Sequence, residues 1–406
     1  MRCGDDRPGM SQESFDAVVL GGGAVGCATL FHLARLGCRR ALLLERGEIA
    51  GGTTAQSSGI LRTYYSVRPN VEVARAALAM FQDFPALLED EDADCGLVRT
   101  GYLALAPEGP AAAALGRTIA AQQELGIAAR LVDRAEALAL HPWLDLSDIA
   151  LCGYEAAAGF ADPYMTAQAF ARAARRKGAL VRQGTPVLGL IREGGRVRGV
   201  RTPAGEIGAG VVISTLNVWS PLLRGWAEAE IPCHASRHLV ASFAADAPYT
   251  RALPVLKDFA SPLMLYSRPH AGSEILVGAG DAGDEVTDPD GGTGDISMDW
   301  VAEVGAQLAH RMPRFAEHGR FVRAWAGLYD TTPDWNPVLG PLPGIEGLLV
   351  AFGFSGHGFK LSPMVGRMLA QAALGLAPDL PLEPYRATRF AEGAPLAGAF
   401  GSGAVS

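Results

Sequence analysis

The chain has 406 residues, 49% of them hydrophobic, enough for two domains with sizeable cores. Its formal net charge of −8 and pI near 5.6 argue against a nucleic-acid partner. No apolar run reaches membrane-spanning length, and Asp5, Asp6 and Pro8 stand where a signal peptide needs an apolar core.

Residues 1–9 read as a dispensable extension or upstream start, because Met10 opens Met-Ser-Gln-Glu-Ser just before the first strand. Phe15 to Leu20 is a short apolar strand, followed by Gly21-Gly22-Gly23-Ala24-Val25-Gly26, an apolar helix to about Leu36 and a second strand, Ala41 to Glu45. Residues 71–89 carry a helical apolar pattern, 97–106 a strand, and 110–141 an Ala-rich helical stretch. A helix over 163–177 carries Arg172, Arg175, Arg176 and Lys177, the only dense basic group, which reads as a solvated face. Short strands follow near 179–183, 186–192, 196–201 and 207–213, and the turns at Gly194-Gly195 and Gly205 suggest a three-stranded antiparallel meander. Residues 233–280 are strand-rich, 281–294 read as an exposed loop, 297–311 as a helix and 320–329 as a strand. Leu348 to Phe352 is a buried strand and Met364 to Ala373 a helix, with Gly353-Phe354-Ser355-Gly356-His357-Gly358-Phe359-Lys360 between them.

The expected fold is α/β (α+β overall), with a Rossmann-type domain interleaved with a mixed-sheet substrate domain. The first takes 10–80, 150–225 and 320–390, the second 81–149 and 226–319, and 391–406 reads as a disordered tail. Six cysteines without a Cys-x-x-Cys pair fit reduced thiols in a cytoplasmic protein better than a disulfide framework or a metal site, and no metal is expected.

Gly21, Gly23 and Gly26, with Ala24 and Val25 between them, make the Gly-x-Gly-x-x-Gly turn that brings a pyrophosphate onto a helix N-terminus. Glu45 ends the next strand, where an acid accepts hydrogen bonds from adenosine ribose hydroxyls. Arg46 beside it reads equally as a ligand contact or a solvated charge. Thr53, Thr54, Ser57, Ser58 and Gly59 form a hydroxyl- and glycine-rich segment able to donate to phosphate or ribityl oxygens, and it runs into Leu61-Arg62-Thr63-Tyr64-Tyr65. Near the other end, Gly353, Gly356 and Gly358 let the backbone approach a flat ligand and aim free N–H groups at it. If both ends grip one cofactor, the chain is a flavoenzyme; from the N-terminal fingerprint alone, a nicotinamide dehydrogenase is the alternative.

These pieces, together with Thr332-Pro333-Asp334-x-x-Pro337, resemble the glycine oxidase/sarcosine oxidase branch of the FAD-dependent D-amino-acid oxidase superfamily, over about residues 15 to 385. The resemblance implies an FAD-binding domain, a substrate domain and oxidation of an amine to an imine. It places Val187, Thr215 and Trp219 at the FAD, and Gly327, Gly353, Gly356, His357, Gly358, Phe359 and Lys360 along the flavin. Arg62 and Lys360 match the family's substrate-carboxylate clamp; Tyr266 is a candidate pocket wall, and His357 is a candidate to polarise the flavin.

The departures narrow these expectations. Gly327 and Gln56 stand where sub-branches carry a flavin-tethering cysteine or histidine, which implies noncovalent FAD. Leu276 stands where the monomeric sarcosine oxidases have a lysine linked to oxygen activation, and Gly59 where they have an arginine. The electron acceptor is therefore oxygen or another carrier. The leading substrate is a small amino acid or an N-substituted, sarcosine-like amine. A biosynthetic flavoprotein for a larger cyclic or carrier-bound amine, or a flavin subunit of an electron-transfer complex, are the other readings.

Overall fold

The computed structural model describes residues 13–245, 253–280, 283–291 and 294–398. The first sheet runs in the order Val338–Pro341, Leu348–Phe352, Gly205–Ser214, Ser14–Leu20, Ala41–Leu44, Leu180–Arg182. Its members from Leu348–Phe352 to Leu180–Arg182 are all parallel. From Ala17 to Leu20 the central strand is at most 1% exposed, because layers cover both faces, so it reads as an unbroken apolar run rather than an alternation. The antiparallel meander Gly189–Glu193, Arg196–Thr202, Gly205–Ser214 forms as expected from its turns.

On one face lie the helices Ala24–Arg35, Pro163–Arg176 and Gly358–Ala373. The first and last cross closely: a Cβ at Gly366 would come 2.7 Å from the Ala28 backbone. This contact brings the two ends of the chain together. Helix Pro163–Arg176 starts where Asp162 accepts Met165 N–H at 2.9 Å and Pro163 fixes the first turn.

The second sheet runs Asp284–Val286, His234–Ala244, Glu274–Gly278, Tyr266–Pro269, Val255–Asp258, Tyr102–Ala106, Leu151–Glu155, Ala129–Val132, with Arg320–Thr331 paired along His234–Ala244. Most pairs are antiparallel, but Val255–Asp258 runs parallel to Tyr102–Ala106, so the sheet is mixed. Ser236, His238, Val240 and Ser242 alternate along one face of the long strand, which turns toward the cleft at His238 and Val240. Buried Arg311 ties the end of helix Met298–Arg311 to Asp258 at 2.8 Å and Asp148 at 2.7 Å.

Several expectations need correction. Residues 110–141 are not one helical stretch: helix Pro110–Glu124 ends before Gly126, whose φ of +74° is left-handed, and Asp133 caps a separate helix, Arg134–Leu140. Between them Ala129–Val132 pairs into the second sheet. Leu151–Glu155 and Arg320–Thr331, grouped with the Rossmann segments from sequence, also hydrogen-bond into the second sheet. The stretch 281–294 contains a short strand, Asp284–Val286, rather than loop alone. The last helix begins at Gly358, six residues before Met364.

The expected disordered tail is docked through Leu396, whose N–H donates to Asp334 Oδ2 at 2.9 Å; residues 399–406 and 1–9 lie outside the described residues. Asp334 also forms a fully buried ion pair with Arg389, at 2.8 Å. The Thr332-Pro333-Asp334 motif is thus a clasp for the C-terminal segment. Among the described residues the five cysteines are free and buried, no metal-binding cluster occurs, and no helix is long and apolar enough to cross a membrane.

Candidate active site

The parallel strands Ser14–Leu20, Gly205–Ser214 and Leu348–Phe352 end side by side, so Gly21, Thr215 and Gly353 meet at the carboxyl edge of the sheet, where ligands bind in open α/β folds. Gly21 has a φ of +101°, and a Cβ there would come 2.9 Å from Thr215 O. A Cβ at Gly26 would collide with Gly21 O, so glycine is required at both positions. The Thr215 hydroxyl donates to Leu20 O at 2.8 Å, and Ala24 N–H to the Thr54 hydroxyl at 3.1 Å.

Two connected cavities share Gly23, Thr53, Thr54, Gln56, Thr215, Asn217 and Leu328. The outer one is lined by Glu45, Arg46, Val187, Thr215, Trp219 and Asp290, among others. The Glu45 carboxylate accepts Gly22 N–H at 2.6 Å and Gly47 N–H at 2.7 Å, which holds it at the cavity mouth. Arg46 stacks 4.1 Å over the Trp219 ring and pairs with Asp290 at 2.6 Å, and Trp219 Nε1 donates to the same carboxylate at 3.0 Å. The Arg46 guanidinium holds the Asp290 carboxyl below the usual range.

The inner cavity lies between the glycine turns and the second sheet. Gly23, Ala24, Val25 and Gly26 line it with Thr53, Thr54, Ser57 and Ser58 on one side; Tyr266, Gly327, His238, Val240 and Tyr329 face them. Gly356, Gly358 and Phe359 close the third side. Gly327 leaves room for Gln56, whose side-chain oxygen accepts Leu328 N–H at 3.0 Å.

The C-terminal loop does not aim all its donors at the ligand, contrary to expectation. Gly353 N–H donates to Asp330 Oδ2 at 2.5 Å, Phe354 N–H to Asp330 Oδ1 at 3.1 Å and Ser355 N–H to Asp330 O at 3.0 Å. Gly353 is instead required by close packing, since a Cβ would strike Thr332 Cγ2. The N–H groups of Gly356, Gly358 and Phe359, at the first turn of the last helix, remain on the cavity wall. Gly59 likewise sits behind the cavity, with a φ of +71° and Ala161 O where a side chain would stand.

Arg62, His357 and Lys360 gather behind the wall that Gly356, Gly358 and Phe359 form, and none of the three lines the inner cavity itself. Arg62 is 6% exposed, donates to Tyr64 O, and lies 4.7 Å from the Tyr65 ring centre and 5.7 Å from that of Tyr102. His357 packs edge-on against Tyr65 at 5.0 Å, and neither ring nitrogen has a partner among the described residues. Burial, with Lys360 and Arg62 nearby, holds its imidazole well below the ordinary range. Lys360 reaches Gly356 O at 3.5 Å; burial and the Arg62 charge hold its ammonium well below the lysine range. Glu155 fixes the neighbouring backbone by accepting Thr63 N–H at 3.0 Å and the Thr63 hydroxyl at 2.8 Å, and burial raises its carboxyl.

The glycine cradle, the unused helix-terminal N–H groups and the two linked cavities fit a dinucleotide whose flat ring enters the inner chamber. Residues 16–372 match the family described as FAD dependent oxidoreductase. The chain belongs to that family. This FAD-dependent oxidoreductase is 28% identical over 392 residues to human mitochondrial sarcosine dehydrogenase, covering 92% of the chain but only 41% of that protein. It is also 28% identical to the sarcosine oxidase subunit beta of an Arthrobacter species, covering 94% of the chain and 92% of the subunit. The crystal structure of L-proline dehydrogenase from P. horikoshii superposes with a TM-score of 0.85 at 27% identity, covering 94% of this chain and 99% of that one. The family resemblance seen in the motifs therefore holds.

Four residues that sequence reasoning missed belong to this oxidoreductase's site. His238, Tyr329 and Asp330 line the inner cavity, and Asp290 closes over the outer one. For Asp330 the available signal was an acid closing the apolar run Ala324 to Tyr329; His238, on a strand that also carries His234 and Arg237, had no comparable signal. Asp290 had none, because its partners lie 244 and 71 residues away.

Proposed function

We propose that this FAD-dependent oxidoreductase oxidises the C–N bond of a small, N-substituted amino acid to an imine. The gathering of Arg62 and Lys360 beside the inner cavity carries this reading. A guanidinium and an amine there bind the substrate carboxylate and fix the substrate's angle of approach. Noncovalently held FAD supplies the acceptor for the hydride that leaves the substrate carbon. Tyr266, with its ring packed over Gly278, and Tyr329 bound the pocket opposite the glycine loop and exclude water. Burial and the Arg62 charge, which lower the Lys360 ammonium, act in the same way on a substrate amine bound beside them, so a neutral substrate amine is favoured over an ammonium.

The similarity to a sarcosine dehydrogenase, a sarcosine oxidase subunit beta and an L-proline dehydrogenase supports a secondary amino acid. The similarity to a sarcosine oxidase subunit beta also supports work within a larger assembly. Anaerobic mixing of the yellow holoenzyme with sarcosine, proline or glycine tests the proposal. Bleaching of the flavin by the two secondary amino acids, and less by glycine, is expected. No bleaching by any of the three sinks the small-amino-acid reading and favours a larger amine.

A further inference from the structure

Asp330 stands at the inner end of strand Arg320–Thr331, 1% exposed, on the wall of the inner cavity. Its carboxylate accepts the Gly353 and Phe354 N–H groups, and the Asn217 side chain also bonds to it. Asn217 in turn accepts the Thr53 hydroxyl at 3.0 Å. One carboxylate thus joins the strand end, the N-terminal hydroxyl loop and the C-terminal glycine loop. Among the described residues no cation pairs with it. Two N–H groups need only a carbonyl; an ionisable acid here adds a charge that responds to the charge of the ligand beside it.

We propose that Asp330 positions the glycine loop and is the proton-linked charge of the flavin cavity, taking up one proton from bulk water when the flavin is reduced. Two electrons and one proton convert the oxidised flavin to its anionic reduced form. A second proton from water then bonds to the Asp330 carboxylate, so the cavity gains no net charge. In its positioning role, Asp330 removes the Gly353 and Phe354 donors from the ligand and leaves those of Gly356, Gly358 and Phe359 on the wall.

The other titratable groups around the cavity are Tyr266 and Tyr329 on its wall, His238 on the neighbouring strand with Cys233 just before it, His357 on the loop, Lys360 at the start of the last helix, and Arg62 behind it. Asp334, farther along the Asp330 segment, is paired with Arg389. Burial pushes the Cys233 thiol up and the His238 imidazole down to about 4, and His357 is also driven down. Burial raises the Asp330 carboxyl to about 7, so its proton is already present in more acidic solution and the linkage emerges above that pH. Lys360, lowered from its ordinary range, is the competing group.

The midpoint potential of the FAD in the holoenzyme, measured against a reference dye between about pH 6 and pH 9, tests this. Wild type is expected to follow one proton per two electrons at the acidic end and two protons per two electrons above the Asp330 titration. Asp330→Asn is expected to keep the one-proton slope throughout and to bind FAD about 10-fold more weakly by flavin fluorescence. Lys360→Met is expected to retain the steep region. A one-proton slope in wild type over the whole range overturns the proposal, as does loss of the steep region in Lys360→Met but not in Asp330→Asn. Should Asp330→Asn not fold, the wild-type and Lys360→Met slopes still decide. None of these outcomes depends on the identity of the amine.

Discussion

The two halves of the cleft hold their ligand by opposite means. At the outer half, Arg46 and Asp290 keep side-chain exposures of 47% and 55%, and their contact is an ion pair stacked on Trp219. At the inner half, Asp330, Arg62 and His357 are each at most 6% exposed, and two of them have ionisation pushed far from normal by burial. Exposed charges exchange with water and salt; buried ones resist exchange and respond to protons instead. The outer half is therefore suited to admitting and releasing the dinucleotide, and the inner half to setting its chemistry.

The largest expected effect comes from destroying the part that both halves share. Gly26→Ala drives a Cβ into Gly21 O, and FAD affinity is expected to fall roughly 100-fold, read by flavin fluorescence, with the apoprotein still folded. Next comes the inner half alone. Arg62→Ala is expected to lower kcat/KM for a carboxylate-bearing amine about 100- to 1000-fold while leaving FAD affinity near wild type. An equal loss on an amine lacking a carboxylate would break the clamp assignment.

The smallest effect belongs to the outer half. Asp290→Ala is expected to speed FAD dissociation only about 2- to 5-fold, because exposed ion pairs contribute little. Its diagnostic is salt: wild-type release should quicken with ionic strength and the variant's should not. A salt-insensitive wild type would remove the contrast between the halves.

Much of the site was legible because its signals are local. The Gly21–Gly26 turn follows a strand and opens a helix within a dozen residues, and the Gly356–Phe359 donors sit at a helix start for the same reason. The role of Gly353 was misread because its N–H partner, Asp330, is 23 residues away on a different sheet. Gly59 was assigned to the ligand, although a neighbouring backbone carbonyl, Ala161 O, is what demands a glycine there. The strands Leu151–Glu155 and Arg320–Thr331 were grouped with the wrong sheet since pairing depends on partners that apolar patterning does not name.

By itself, the sequence determined the glycine turn and the strand-turn-helix unit that carries it, because each rests on residue type and short spacing. Only the tertiary structure decided which loop N–H groups Asp330 engages, which acid lines the inner cavity, and that Asp290 lines the outer one beside Arg46 and Trp219. Those outcomes depend on long-range hydrogen bonds and burial, and these exist only once the two sheets are packed against each other.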